Sequence, residues 1–136
     1  MDKNCVSCPT RLEDLGTGSL ARVEVEIRKL LSLHPDVHRS GRELVSDFRP
    51  GIGDYAVRKI AVVVDRYYPQ CAPDAYVSPY DDISGDLPRL HIYDDGQVCF
   101  IRIWEWNSRI HNLSFVFSQS KLVVFGAIHL RGRASW

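Results

Sequence analysis

The feature that most constrains the fold of this 136-residue chain is the segment at residues 55–65. Its side chains alternate between two faces with the period of a β-strand, and residues 60–64 (Ile-Ala-Val-Val-Val) are apolar on both faces. A strand with one solvated face carries polar residues on that face, so this strand is expected at the centre of a sheet, covered on both sides. The sequence therefore predicts a layered domain built around one central strand.

Composition and charge fit one globular domain, since 45% of the residues are hydrophobic and 25% are charged. A chain of this length buries roughly two thirds of its unfolded surface and needs no disulfide or metal to fold. The 17 basic and 17 acidic residues cancel, which argues against a nucleic-acid binder. No apolar run is long enough to span a bilayer, and the N-terminus lacks a signal-peptide pattern. A cytoplasmic protein with reduced thiols and no membrane partner is expected.

Two helices flank the predicted strands. Apolar residues at helical spacing predict a first helix that begins after Ser19 as N-cap and stops before Pro35. A second helix is predicted at residues 113–130, although its Ser, Val, Phe and Gly content weakens its helix propensity. Further extended segments are expected at residues 44–48 and 74–80.

These elements define the expected fold class and domain boundaries. Residues 1–18 carry proline and glycine without periodicity and are expected to be loosely ordered. Residues 19–136 then form a single α+β domain. Its expected order is an N-terminal helix, an antiparallel meander of about four strands, a cysteine-bearing connection and a C-terminal helix.

The segment around Cys99 has the composition of a turn that delivers a thiol to the end of a strand. Asp94, Asp95 and Gly96 supply turn residues, because glycine adopts the positive φ that other residues resist. Val98 and the apolar residues after Cys99 are expected to anchor the segment in the core. A thiol held in this way is suited to act as a covalent carrier. The simpler alternative is that Cys99 is a small buried hydrophobic residue.

The chain has three other cysteines: Cys5, Cys8 and Cys71. Cys5 and Cys8 have half the spacing of a zinc site, but no second CxxC or HxxxH pair follows. They are expected to be incidental thiols in a mobile terminus, and Cys71 is expected to be a packing or surface residue. No metal and no cofactor are therefore expected.

Several motifs follow one another in an order that resembles the ubiquitin-conjugating enzymes. Members of that family begin with a helix and a strand meander, followed by a Tyr-Pro…Pro motif. A catalytic cysteine preceded by Gly-x-(Ile/Val), a tryptophan and another helix come next. The resemblance covers roughly residues 19–125 of this chain. Its matching motifs are Tyr68-Pro69…Pro73, Gly96-Gln97-Val98-Cys99 and Trp106-Asn107-Ser108.

The chain also departs from the pattern of that family. Arg89-Leu90-His91 replaces the histidine-proline-asparagine motif, so His91 stands where the family has its asparagine. The chain stops at Trp136, without the two further helices of eukaryotic members. This compact form is similar to bacterial conjugating enzymes encoded in anti-phage operons, including cyclic-oligonucleotide signalling systems (CBASS) and ubiquitin-like conjugation systems. A bacterial source is therefore expected.

The resemblance implies a specific chemistry. Cys99 would accept the C-terminal glycine of a protein as a thioester from an activating enzyme and pass it to an amine. The cargo would be a ubiquitin-like protein or the C-terminus of a nucleotidyltransferase that makes cyclic nucleotides. His91 would donate a hydrogen bond to the oxyanion or assist proton transfer. Asp94 or Asp95 would orient or deprotonate an incoming lysine, with turn formation as their simpler role.

Two other functions remain open from the sequence. The first is an inactive relative of the same fold that acts as a binding or assembly module. The absent asparagine favours this alternative, whereas the retained Cys99 favours the enzyme. The second is a cysteine hydrolase, for which His91 and His111 are candidate bases. The sequence indicates no acid to orient either imidazole, so this alternative ranks lowest.

Overall fold

A computed structural model describes residues 20–41, 43–48, 57–64, 68–84, 91–101 and 105–134. The expectations for residues 1–18, including Cys5 and Cys8, and for Arg89-Leu90 lie outside this part of the chain. The described strands form one four-stranded antiparallel sheet in the order β1-β2-β3-β4, which confirms an α+β class with a meander between two helices. The elements are α1 (Leu20–Leu33), β1 (Val37–Ser40), β2 (Glu43–Phe48), β3 (Arg58–Val63), β4 (Asp74–Ser78) and α2 (Leu113–Ala134).

The strand predicted at residues 55–65 contains β3, which lies between β2 and β4 as expected. Ile60 and Val62 are fully buried on one face. Ala61 and Val63, on the other face, are only half-buried. The prediction of a central strand is confirmed, but full coverage of both faces is wrong because the helices pack on one side.

Both predicted helices are present. Ile27 and Leu30 of α1 are buried, as are Phe117 and Val124 of α2, and these side chains belong to one core cluster with the inner face of the sheet. The second helix continues four residues beyond its predicted end at residue 130. Burial of apolar side chains such as Phe117 and Val124 against the sheet stabilises a helix more than its propensity does, which accounts for a helix in a segment rich in Ser, Val and Phe.

The strand β1 was not predicted from the sequence. Val37 is its one buried residue, and the three residues that follow are exposed. This strand lies at the edge of the sheet, where its pairing with β2 comes from backbone hydrogen bonds. An edge strand that buries a single side chain leaves no alternating pattern to detect.

Glu26 connects the first helix to two distant parts of the chain. Its Oε1 atom accepts a 2.6 Å hydrogen bond from the hydroxyl of Tyr68 and a 3.3 Å bond from the amide of Leu113, the first residue of α2. Its Oε2 atom accepts a 2.9 Å bond from Arg22 Nε. Burial, and then the hydrogen bond with the Glu26 carboxylate, raise the pKa of Tyr68, so the phenol stays a donor. The carboxylate thus fixes α1, the loop before β4 and the start of α2 together.

Candidate functional site

The segment that carries Cys99 folds as a tight hairpin over residues 91–99. The amide of Tyr93 donates to the carbonyl of Gln97, and the amide of Gly96 donates to the carbonyl of Tyr93, both at 2.9 Å. Gly96 has a φ of 89°. Asp95 Oδ1 accepts a 3.0 Å bond from the Gln97 amide, which is the turn-forming role expected for an aspartate at this place. The predicted turn and the positive φ of Gly96 are both confirmed.

The hairpin is fixed to the sheet along β4. The amide of Val77 donates to the carbonyl of Gly96 at 2.9 Å, and the amide of Val98 donates to the carbonyl of Ala75 at 2.8 Å. The side chain of Val98 is fully buried, so the predicted anchoring in the core is confirmed. The second arm of the hairpin therefore lies antiparallel to β4 and extends the sheet at that edge.

Arg58 of β3 holds the loop that covers this hairpin. Its side chain is 2% exposed and donates to the carbonyl of Pro79 and to Asp82 Oδ2, each at 2.6 Å. Tyr80 lies between these two anchor points and contacts Gly96. Sequence reasoning missed this buried cation. The available signal was the strand alternation, which places Arg58 on the same face as the fully buried Ile60.

Cys99 and His91 lie opposite one another at the open end of the hairpin. The amide of Cys99 donates a 2.8 Å hydrogen bond to the carbonyl of His91. The cysteine is half-buried and the histidine is exposed. His91 has a φ of 56°, an uncommon conformation for any residue except glycine, although histidine is one of those that tolerate it. The structure thus brings these two predicted site residues together.

Asp94 and Asp95 lie at the other end of the same hairpin. Both side chains are exposed at its tip. Residues 96–98, which begin with the turn residue Gly96, separate Asp95 from Cys99, so the two lie on the order of 10 Å apart at the rise of a β-strand. The two aspartates therefore do not adjoin the sulfur of Cys99, and any action on an incoming amine would take place from the tip.

Cys71 and Cys99 are both disulfide-bonded, and the described residues contain no free cysteine. Cys71 is 4% exposed. The expectation of reduced thiols is therefore wrong for these two residues. Cysteine spacing in a sequence does not reveal which sulfur atoms meet, because disulfide formation depends on the distance and direction of the side chains in the fold.

Trp106 connects the segment after the hairpin to the loop that contains Cys71. The tryptophan is 8% exposed, and its Nε1 atom donates a 2.8 Å bond to the carbonyl of Pro69. Its ring lies 6.2 Å from that of Tyr68. These contacts give the Tyr-Pro motif and the tryptophan a structural role.

His111 is part of an aromatic stack. Its ring lies 4.4 Å from the ring of Phe115 and 5.3 Å from that of Trp106. Its Nδ1 atom accepts a 2.9 Å bond from the amide of Asn107. A nitrogen that accepts a backbone hydrogen bond cannot donate to an orienting carboxylate, so His111 lacks the geometry of a hydrolase triad.

Neither membrane nor metal features stand out among the described residues. No helix in this part of the chain is both long and apolar enough to cross a membrane. The same residues include no group of three or more His, Cys, Asp or Glu side chains suited to holding a metal ion.

Comparison with known proteins provides no family assignment. The chain matches no protein-family model, and no curated protein matches it. The resemblance to the ubiquitin-conjugating enzymes therefore depends on the quoted motifs and on the order of helices and strands around them.

Proposed function

We propose that this protein is a thioester carrier of the ubiquitin-conjugating type in bacterial anti-phage defence. Cys99 would accept the C-terminal glycine of a ubiquitin-like protein or of a cyclic-nucleotide synthase and transfer it to an amine. The observation that carries the proposal is the hairpin that holds Cys99 directly opposite His91 through a 2.8 Å backbone hydrogen bond. The order of helix, four-stranded meander, cysteine hairpin and helix supports it.

The proposed reaction has two acyl transfers. The Cys99 thiolate attacks the thioester carbonyl of the cargo on an activating enzyme, and the thiolate of that enzyme leaves. An acceptor amine then attacks the new thioester and loses a proton, and the Cys99 thiolate leaves as the amide bond forms. Each transfer passes through an oxyanion that needs a donor within about 3 Å.

His91 is the proposed oxyanion donor. Its imidazole is exposed, and its backbone is fixed beside that of Cys99. A histidine held at a φ of 56° carries backbone strain, a feature that is concentrated at functional sites. Asp94 and Asp95 at the exposed tip would interact with the protein that presents the acceptor lysine, with Asp95 also holding the turn.

A second candidate function is a binding or assembly module of the same fold. The observation that favours it is the disulfide at Cys99, because a sulfur in a disulfide is not a nucleophilic thiolate. The two functions differ in whether cargo becomes covalently attached to Cys99, so one experiment separates them.

The test is incubation of the reduced protein, freed of reductant, with the purified products of the neighbouring genes, followed by non-reducing gels and intact-mass analysis. We expect a thiol-labile cargo adduct on the wild type, and its loss or conversion to a thiol-stable ester in Cys99→Ser. Removing one oxyanion donor typically costs about 100- to 1000-fold in rate, so His91→Ala should slow transfer by that order. His91→Asn, which restores an amide donor, should recover part of the rate.

If the wild type stays unmodified in the presence of an activating enzyme that carries the cargo as a thioester, the enzyme proposal is wrong. In that case the binding module becomes the better account. Asp47→Asn, an exposed substitution on β2, is the matched control and should leave adduct formation unchanged.

A further inference from the structure

The two described half-cystines differ in exposure. Cys71 is 4% exposed and lies in the loop whose Pro69 carbonyl accepts a hydrogen bond from Trp106. Cys99 is half-buried at the open end of its hairpin, opposite the exposed His91. Thiol–disulfide exchange requires a thiolate to reach one of the bonded sulfur atoms. Cys99 is therefore the more exposed of these two residues.

We propose that the disulfide holds Cys99 in a protected resting state and that a dithiol reductant releases its thiolate in the folded protein. This inference rests on the proposed function for its consequence, because only the thiolate can accept an acyl group. The sulfur partner of Cys99 is one of the other three cysteines of the chain. Reduction then turns the carrier on and oxidation turns it off.

The exchange balances as a two-electron reduction. One thiolate of the dithiol attacks the disulfide, the S–S bond breaks, and one protein sulfur leaves as a thiolate while the other forms a mixed disulfide with the reductant. The second thiol of the reductant, after losing its proton, attacks that mixed disulfide and displaces the other protein thiolate. The reductant ends as its own disulfide, and the two protons that it loses are available to the two protein thiolates.

The placement of Cys99 does not depend on the disulfide. Backbone hydrogen bonds fix the hairpin at three points, from Cys99 to His91, from Val98 to Ala75 and from Val77 to Gly96. The core cluster and the contacts of Glu26 join the helices to the sheet through side chains other than cysteine. A chain of this size also buries enough surface to fold without a disulfide. Reduction should therefore change the chemistry of Cys99 and leave the fold intact.

The test measures the thiol directly and needs no cargo. The full chain is purified without reductant, its free thiols are blocked at lysis, and non-reducing peptide mapping identifies the partner of Cys99. The folded protein is then treated with dithiothreitol and labelled with N-ethylmaleimide. We expect Cys99 labelling to rise from near zero to near completion while the thermal transition remains cooperative.

Substitutions give a matched pair. Serine at the mapped partner of Cys99 should make Cys99 fully reactive without reductant. Serine at a cysteine that the map excludes as partner should leave Cys99 protected. Labelling of Cys99 in the untreated wild type would overturn the inference. Reduction only after the protein unfolds would also overturn it, as would protection by a bound metal ion that a chelator removes.

The same preparation separates the two proposals. If Cys99 becomes reactive on reduction and the reduced protein still forms no adduct with a charged activating enzyme, the proposed function fails and the redox control of the thiol stands. If the oxidised and the reduced proteins form the adduct at equal rates, the redox control fails and the proposed function stands.

Discussion

The carbonyl oxygen of Gly96 accepts a 2.9 Å hydrogen bond from the amide nitrogen of Val77, which fixes the tip of the cysteine hairpin to β4. Glycine is required at this position for two separate reasons. Its φ of 89° is unfavourable for residues with a Cβ atom. A Cβ added there would also lie 2.8 Å from both Val77 O and Tyr80 Cδ1.

Gly96→Ala should therefore destabilise the protein strongly. The φ conflict costs about 1–2 kcal/mol and overpacking against a backbone oxygen costs about 1–3 kcal/mol more, for a total of about 3 kcal/mol. Denaturant unfolding of purified variants measures this change. Two other glycines act as controls, because a Cβ atom at either of them meets nothing within 4 Å.

The two controls separate strain from crowding. Gly41 has a φ of 62°, so Gly41→Ala should cost about 1 kcal/mol from the backbone conformation alone. Gly126 lies within α2, so Gly126→Ala should stabilise the protein by about 0.5–1 kcal/mol. Equal losses for Gly96→Ala and Gly41→Ala would show that the contact with Val77 contributes nothing.

Glu26→Ala should lower the free energy of unfolding by about 2–3 kcal/mol, because it leaves the buried Tyr68 hydroxyl and the Leu113 amide without their acceptor. Tyr68→Phe removes the hydroxyl as well as its bond and should cost only about 1 kcal/mol. Glu24→Ala is the control on the same helix, since Glu24 makes only an exposed pair with Arg39 at 3.4 Å. A comparable loss in Glu24→Ala would contradict the role given to Glu26.

Stability should fall in acid partly through Asp36, the carboxylate between α1 and β1. Burial tends to raise the pKa of Asp36, but hydrogen bonds from Lys121 Nζ at 2.6 Å and from Ser46 Oγ outweigh burial and hold the pKa below its ordinary 3.8. The folded state then binds the proton less readily than the unfolded state does. Its stabilising contribution is complete above about pH 4 and is lost as the pH falls through the folded pKa.

The measurement is denaturant unfolding at several pH values from about 6 down to about 2, which covers the range below the unfolded pKa of aspartate. Asp36→Asn should lose less stability in acid than the wild type does. Lys121→Met should also reduce the dependence of stability on pH in this range. Asp47→Asn, on the exposed part of β2, is the control. An unchanged slope in Asp36→Asn would remove Asp36 from the acid response.

Ser120→Ala should stabilise the protein. The Ser120 hydroxyl is fully buried in α2 and has no hydrogen-bond partner among the described residues. Removing an unsatisfied buried hydroxyl gains about 1 kcal/mol or more, and alanine also has the higher helix propensity. Ser118→Ala, exposed on the same helix, isolates the propensity effect of about 0.5 kcal/mol or less. A lower melting temperature for Ser120→Ala would show that the hydroxyl is satisfied in solution.

Local signals in the sequence were sufficient for the main elements and for the hairpin turn. Periodicity located both helices and β3, because one face of each is buried. Asp95 and Gly96 marked the turn, because its positive φ and its side-chain hydrogen bond are properties of neighbouring residues. The position of Cys99 opposite His91 on the neighbouring arm follows from that turn, since a tight hairpin fixes which residues lie opposite one another.

Contacts between residues distant in the chain could be found only in the folded structure. The burial of Arg58 depends on a partner 24 residues away, and the acceptor for the Leu113 amide lies 87 residues before it. The oxidised state of Cys71 and Cys99 belongs to the same class, because it requires sulfur atoms to meet in space. The spacing of residues in the sequence predicts local geometry such as helices, strands and tight turns. Long-range pairs of polar groups and of sulfur atoms depend instead on how the helices and the sheet pack.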